Sequence, residues 1–341
     1  KAIRSKSILD KVLFVNGQPG CGKTLFTSIM PTIPRIELLN FSTEIENICA
    51  LYHLKKISKD GAASFIKIHL DEMIYNTYMS RRVNFRFSDL SSVFRDPYWH
   101  NYISRLFKNG DETIPAKIKL EKPILHLATH NILPYSDILF DTLKNKIFFI
   151  EIIRHPAYMI KQQIINYENH KSNRQFHLNV SHGTKEIFFW DLPYTKKLKK
   201  FKPAEYAIHH LYYQQVEQIK KISIFRKKYQ KFFLVIPFEQ FVLNPNPYLN
   251  KIENLIGSQF SNKLSKLLKR EKVPRKKVSD GISSKLYKRC GWEPGDINLN
   301  EDEEIEKRIN FVLEKKISYS CFHLFKKSID TYDNFLNKNN S

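Results

Sequence analysis

Apolar residues along this chain recur with two different spacings. Four short runs are apolar at nearly every position: residues 11–16, 123–128, 146–153 and 232–236. Each is rich in Val, Ile, Leu or Phe, the pattern of a strand covered on both faces. Helical spacing fills much of the rest. It predicts a helix from Lys23, stopped near Pro31 and Pro34, and further helices within 36–56, 61–80, 157–168, 205–229 and 248–270. Residues 81–122 are mixed, with Arg and aromatic residues gathered around Arg81, Arg82, Arg86, Tyr98 and Trp99. Residues 169–203 are polar and irregular, 271–295 are basic and turn-rich, and 301–340 hold at least one helix.

Strands separated by helical stretches imply βαβ units. The expected fold is α/β, a central, mostly parallel sheet flanked by helices, of the P-loop NTPase-like kind with helical insertions. No internal repeat and no Gly/Ser linker divides the chain. Residues 1–341 are therefore expected to form a single domain, with 61–122 and 165–203 as insertions and 330–341 as a frayed tail.

Composition narrows the class. Of 341 residues 42% are hydrophobic, enough for a sizeable core and too many for wholesale disorder. The four cysteines, Cys21, Cys49, Cys290 and Cys321, are not closely paired, which argues against a disulfide scaffold or zinc knuckle and fits a reducing cytoplasm. No run approaches the roughly 18 apolar residues of a membrane span. The formal charge of +22 points to an anionic partner: nucleic acid, an acidic membrane surface, a glycan or a phosphate-rich nucleotide. Biased composition explains the same charge equally well.

Chemistry enters at Gly17-Gln-Pro-Gly-Cys-Gly-Lys-Thr24, a full P-loop pattern holding three of the ten glycines. Glycines let backbone N–H groups turn inward as an anion nest, and the following helix adds its positive end. Lys23 supplies a mobile cation and Thr24 a hydroxyl. ATP use would further require an acid at a strand end to hold magnesium. The candidates are poor: Asp71 and Glu72 follow a stretch with helical spacing, and Glu151 lies inside its apolar run. Arg154 follows the third run directly, where a guanidinium at the carboxyl edge of a sheet can fork onto phosphate. Thr129-His130 ends the second run, where His130 can act as a general base or merely cap a helix. Glu239, after the fourth run, reads as structural.

Together these pieces resemble the sulfotransferase superfamily, of a bacterial type. The residues carrying the resemblance are Gly17–Thr24, Thr129-His130, Arg154-His-Pro156 and Pro237-Phe-Glu-Gln-Phe-Val-Leu-Asn-Pro245, in that order. The resemblance implies 3′-phosphoadenosine 5′-phosphosulfate as donor and in-line sulfuryl transfer without a metal. It places the 5′-phosphosulfate on Pro19, Gly20, Cys21, Gly22, Lys23 and Thr24. Lys23 would stabilise the leaving charge, and Arg154 would hold the 3′-phosphate together with Gln162, which stands where the family has Ser. The late basic loop of the family is matched by Pro274-Arg-Lys-Lys-Val-Ser-Asp-Gly281, hence Arg275, Lys276 and Lys277. His130 is the implied base. Glu44 is the alternative, since other branches use a Glu after the first helix and Glu44 and Glu46 lie there. The chain departs from the family at Gly20, usually Lys or Arg, and at Ala128, often Lys.

The leading expectation is thus a cytoplasmic sulfotransferase acting on an acceptor hydroxyl of a glycan or small molecule. Tyr98, Trp99 and Trp190 are available to stack on the acceptor. A P-loop kinase using ATP and magnesium is the alternative. A nucleic-acid-binding protein is the third reading, but it leaves the P-loop without a role and no specific nucleic acid is expected.

Overall fold

The computed structural model describes the chain except residues 109, 111, 169–175, 184, 195–200, 283–287, 289–292, 294, 297 and 341. The four apolar runs become β1 (Lys11–Asn16), β3 (Ile124–Ala128), β4 (Ile147–Ile153) and β7 (Phe233–Pro237). With β2 (Ile36–Phe41) they form a five-stranded sheet in the order β2-β3-β1-β4-β7, every pair parallel. Alternate residues of the central strands feed two cores. Leu13, Val15, Ile150 and Ile152 enter one, and Val12, Phe14, Ile147 and Phe149 the other. Burial on both faces is the reason these runs lack polar alternation.

Helices cover both faces: α1 (Lys23–Ile29), α2 (Thr43–His53), α3 (Lys59–Tyr78), α4 (Trp99–Arg105), α5 (Ile114–Glu121), α6 (Asp137–Leu143), α7 (Pro156–Glu168) and α8 (Pro203–Lys228). Beyond β7 lie α9 (Phe238–Leu243), α10 (Asn246–Ile256), α11 (Lys263–Arg270), α12 (Glu301–Glu314) and α13 (Tyr319–Asn340). Between α7 and α8 an antiparallel hairpin, β5 (Asn179–His182) with β6 (Lys185–Phe188), stands apart from the main sheet. Among the described residues no helix is long and apolar enough to cross a membrane.

Three expectations need correction. Residues 36–41 are a strand and not the start of a helix; the helix begins only after Ser42, whose hydroxyl accepts from Ile45 N. A short apolar run carries no period that separates the two states. Its polar members are paid for by tertiary contacts, Glu37 by Arg105 and Tyr102, Asn40 by Thr77. Residues 248–270 are two helices, because Gly257 takes a left-handed φ of 72° and ends the first. Finally, residues 330–340 continue α13 instead of fraying. Tyr332 and Phe335 are buried against the core, and Tyr332 donates to Glu239 at 2.6 Å.

Candidate functional site

The site forms where β1, β3 and β4 end, because parallel strands bring their carboxyl edges and the loops after them to one place. The loop after β1 turns sharply through Gly22, at φ 91°. A Cβ there would stand 2.2 Å from the Phe238 ring, so only glycine fits. Gln163 donates to Pro19 O at 2.8 Å and Arg154 to Gly20 O at 2.9 Å, which pin the loop against α7 and β4. Lys23, buried, curls back onto Gly17 O at 2.5 Å. Beneath the loop Glu151 accepts from Asn16 at 2.6 Å and from Gln218, and Asn16 in turn accepts from Thr129 and Ile132 N. Burial pushes the Glu151 carboxyl up to about 7 despite those donors and the Lys23 charge. Glu151 therefore ties the ends of β1, β3 and β4 together and does not face the cavity.

The cavity holds about 560 Å³, ample for a nucleotide and a small second molecule. Pro19, Gly20, Cys21, Gly22, Lys23 and Thr24 line it, with His130, Arg154, Gln162 and Arg275. Of the other expected residues, Lys276 is exposed outside the cavity, and Lys277 donates to the carbonyls of Asp296 and Leu299. Those two positions act on the loop and not on the cavity. Glu44 also lies outside it: its carboxylate takes the Ser42 hydroxyl at 3.0 Å and pairs with His69 at 3.8 Å. Tyr98 bonds Ser261 and does not reach the cavity either, whereas Trp190 does. Trp292, which the sequence leaves open to stacking or core packing, lies outside the described residues.

At one end three guanidinium groups interleave with two rings. Arg275 lies 5.5 Å and Arg154 4.3 Å from the Phe238 ring; Arg154 lies 5.1 Å and Arg308 4.6 Å from the Tyr158 ring. Carboxylates back this row from behind. Glu239 stands 3.8 Å from Arg154, Glu304 accepts from Arg308 at 2.7 Å, and Glu301 takes the Tyr158 hydroxyl. The Nε atoms of Arg154 and Arg308 are buried and make no hydrogen bond, Arg154 Nε facing Glu239 as an ion pair. Burial, with Arg308 adding to it, pulls Arg154 down to about 10, so it stays charged at neutral pH. Glu239 also accepts from His155 N at 2.9 Å and so holds the start of α7 in place, the structural role its sequence position implied.

At the other end the wall contains His130. Its backbone N–H donates to Glu46 at 2.8 Å and its ring Nδ1 lies 3.1 Å from the same oxygen, which leaves Nε2 as the outward nitrogen. Burial pushes the Glu46 carboxyl up, but His130 and His177 outweigh it and hold it below the ordinary value. His177 Nδ1 stands 3.6 Å from the second Glu46 oxygen. Phe41, Phe176, Trp190 and His210 complete this end. Sequence reasoning named Glu46 but passed it over for Glu44, and missed His177 and Arg308. Glu46 sits two residues after Glu44, and two steps along a helix turn a side chain to another face. His177 and Arg308 carry no local signal; only packing brings them here.

No protein-family model matches this chain, and no curated protein matches it in sequence. Three solved sulfotransferase structures are similar to it over most of its length. The sulfotransferase domain of a Synechococcus olefin synthase covers 93% of this chain and 99% of its own, at 12% identity and TM-score 0.38. A mouse sulfotransferase complexed with PAP covers 95% and 94%, at 10% identity and TM-score 0.37. A Mycobacterium avium sulfotransferase covers 91% and 77%, at 10% identity and TM-score 0.40.

Proposed function

We propose that this cavity transfers a sulfuryl group from 3′-phosphoadenosine 5′-phosphosulfate to an acceptor hydroxyl. The single observation that supports the reading is that the glycine-rich loop with Lys23 and the row Arg275, Arg154, Arg308 line one cavity that also holds His130. A nucleotide with phosphate groups at two positions suits these two sets of donors. Gly20 to Thr24 and Lys23 would hold the 5′ side; Arg154, Arg275 and Arg308, with Gln162 beside them, the 3′-phosphate. The donor, when bound, supplies an activated sulfuryl group.

The residues divide the remaining work. His130 Nε2 accepts the proton of the acceptor hydroxyl as that oxygen forms its new bond. Glu46 fixes the ring through Nδ1 and offsets the positive charge that the imidazole gains. Lys23 leaves the loop carbonyls to neutralise the oxygen that the departing sulfuryl group vacates. The aromatic wall of Phe41, Phe176 and Trp190 would seat the acceptor.

One observation favours the kinase reading instead: Thr24 lines the cavity beside Lys23, where a P-loop hydroxyl meets a nucleotide-bound metal. Thermal melting separates the two. 3′-Phosphoadenosine 5′-phosphate without metal should raise the melting temperature, ATP with magnesium should not, and Arg154→Ala should abolish the rise. Stabilisation by ATP with magnesium alone would sink the sulfotransferase reading.

A further inference from the structure

The Arg- and aromatic-rich segment after α3 has no part in the cavity chemistry, yet it holds several exposed aromatic rings close together. Phe87 is 75% exposed, Trp99 43% and Phe85 40%. Their rings form one cluster around Phe94. Phe87 stacks on it at 4.2 Å, Trp99 lies 5.9 Å away and Phe85 6.2 Å. Phe94 itself packs inward on Leu38, Val93 and Tyr102. The outer rings are therefore mounted on the core and not buried in it.

This loop is also held in shape. Val93 N donates to Asn84 O at 2.8 Å and closes its base. The Asn84 side chain accepts from Arg86 N at 2.9 Å and donates to Asp89 and Ser91. Pre-ordered exposed rings keep their unfavourable contact with water unless something covers them. Charge selects what that is. Arg86, whose side chain is 80% exposed, lies between Phe85 and Phe87, and exposed Arg95 follows Phe94. Of the acids of the loop, Asp89 pairs with Arg86 at 3.7 Å and Asp96 is buried, so Arg95 supplies the cation that no acid of the loop meets. The chain as a whole carries +22. Phe and Trp flanked by Arg combine an apolar body for the acyl boundary with cations for headgroup phosphates.

We propose that the loop of Phe85, Arg86, Phe87 and Arg95, with Trp99, docks this protein on the surface of an anionic lipid bilayer. The same loop sends Leu90 into the wall of the cavity, so a docked molecule would hold the cavity mouth beside the membrane. This does not depend on which group the cavity transfers.

Vesicle co-sedimentation tests it, using the whole chain with phosphatidylcholine vesicles that contain about a third phosphatidylserine. Binding is expected to these vesicles and not to pure phosphatidylcholine, and to weaken as salt is raised. Phe87→Ser with Trp99→Ser should weaken it at least about tenfold. Arg86→Glu with Arg95→Glu should weaken it more than Lys55→Glu with Lys56→Glu, an equal charge change on another exposed stretch. The charge variants lie at exposed positions, so their melting temperatures should stay unchanged, and Trp99 emission should shift to the blue on binding. Unchanged binding of the Phe87/Trp99 variant, equal loss in both charge variants, absent binding to anionic vesicles, or tighter binding to duplex RNA would each overturn the proposal.

Discussion

The two ends of the cavity are built in different ways. One end rests on the loop 17–24 and on α7, segments that directly follow central strands. The end around His130 gathers Phe41, Glu46, Leu90, His130, Phe176, Trp190 and His210 from six stretches of chain. The first kind of site is fixed by local backbone geometry and changes only when the loop does. The second is fixed by packing, so any of its contributors can be exchanged while the sheet stays the same. An anion common to many reactions suits the first, and an acceptor particular to one reaction suits the second.

The comparison breaks most visibly at His130. His130→Ala should spare nucleotide binding, measured by melting shift, while slowing transfer by about 10²–10⁴-fold, measured with an acceptor that the unmodified protein uses. Glu46→Gln should slow it less, because the ring remains but loses its charged support. Full activity of His130→Ala together with a dead Glu44→Ala would reverse the assignment of the base.

The foundation shared by both ends is tested at Glu151. Its carboxyl is held near 7, above its unfolded value, so the folded chain binds that proton more tightly than the unfolded one. Stability from this group is full below about pH 4.5 and falls as the pH rises to about 7. Glu151→Gln should flatten that fall, read from denaturant melts at pH 5 and 8. An unchanged pH profile would mean that the buried network does not load Glu151 as its burial implies. The smallest effect belongs to Glu44→Ala. Its side chain is exposed and turned to Ser42 and His69, so stability should move by less than about 0.5 kcal/mol and transfer should stay unchanged.

Particular residues show how far reading along the chain reaches. Strands β1, β3, β4 and β7 were legible because burial on both faces leaves an unbroken apolar run. The edge strand β2 was not: Glu37 and Asn40 interrupt its run, and the partners that satisfy them, Arg105 and Thr77, come from elsewhere. Arg154 and the glycine loop were legible from their place after strands. Arg275 was legible within a basic cluster, but Lys276 and Lys277 beside it were indistinguishable until the turn directed one outward and the other onto backbone carbonyls. Glu44 and Glu46 likewise differed only in the helix face they occupy.

By itself the sequence determined the parallel sheet, the glycine loop after β1 and the cation after β4. These depend on burial period and on the φ values that glycine alone tolerates, both local properties. Only the tertiary structure decided that Glu46 and not Glu44 meets His130, that Arg308 joins Arg154 and that His177 and Trp190 face the cavity. Those contacts span long stretches of chain, and the free energy that selects them comes from packing, which no local pattern records.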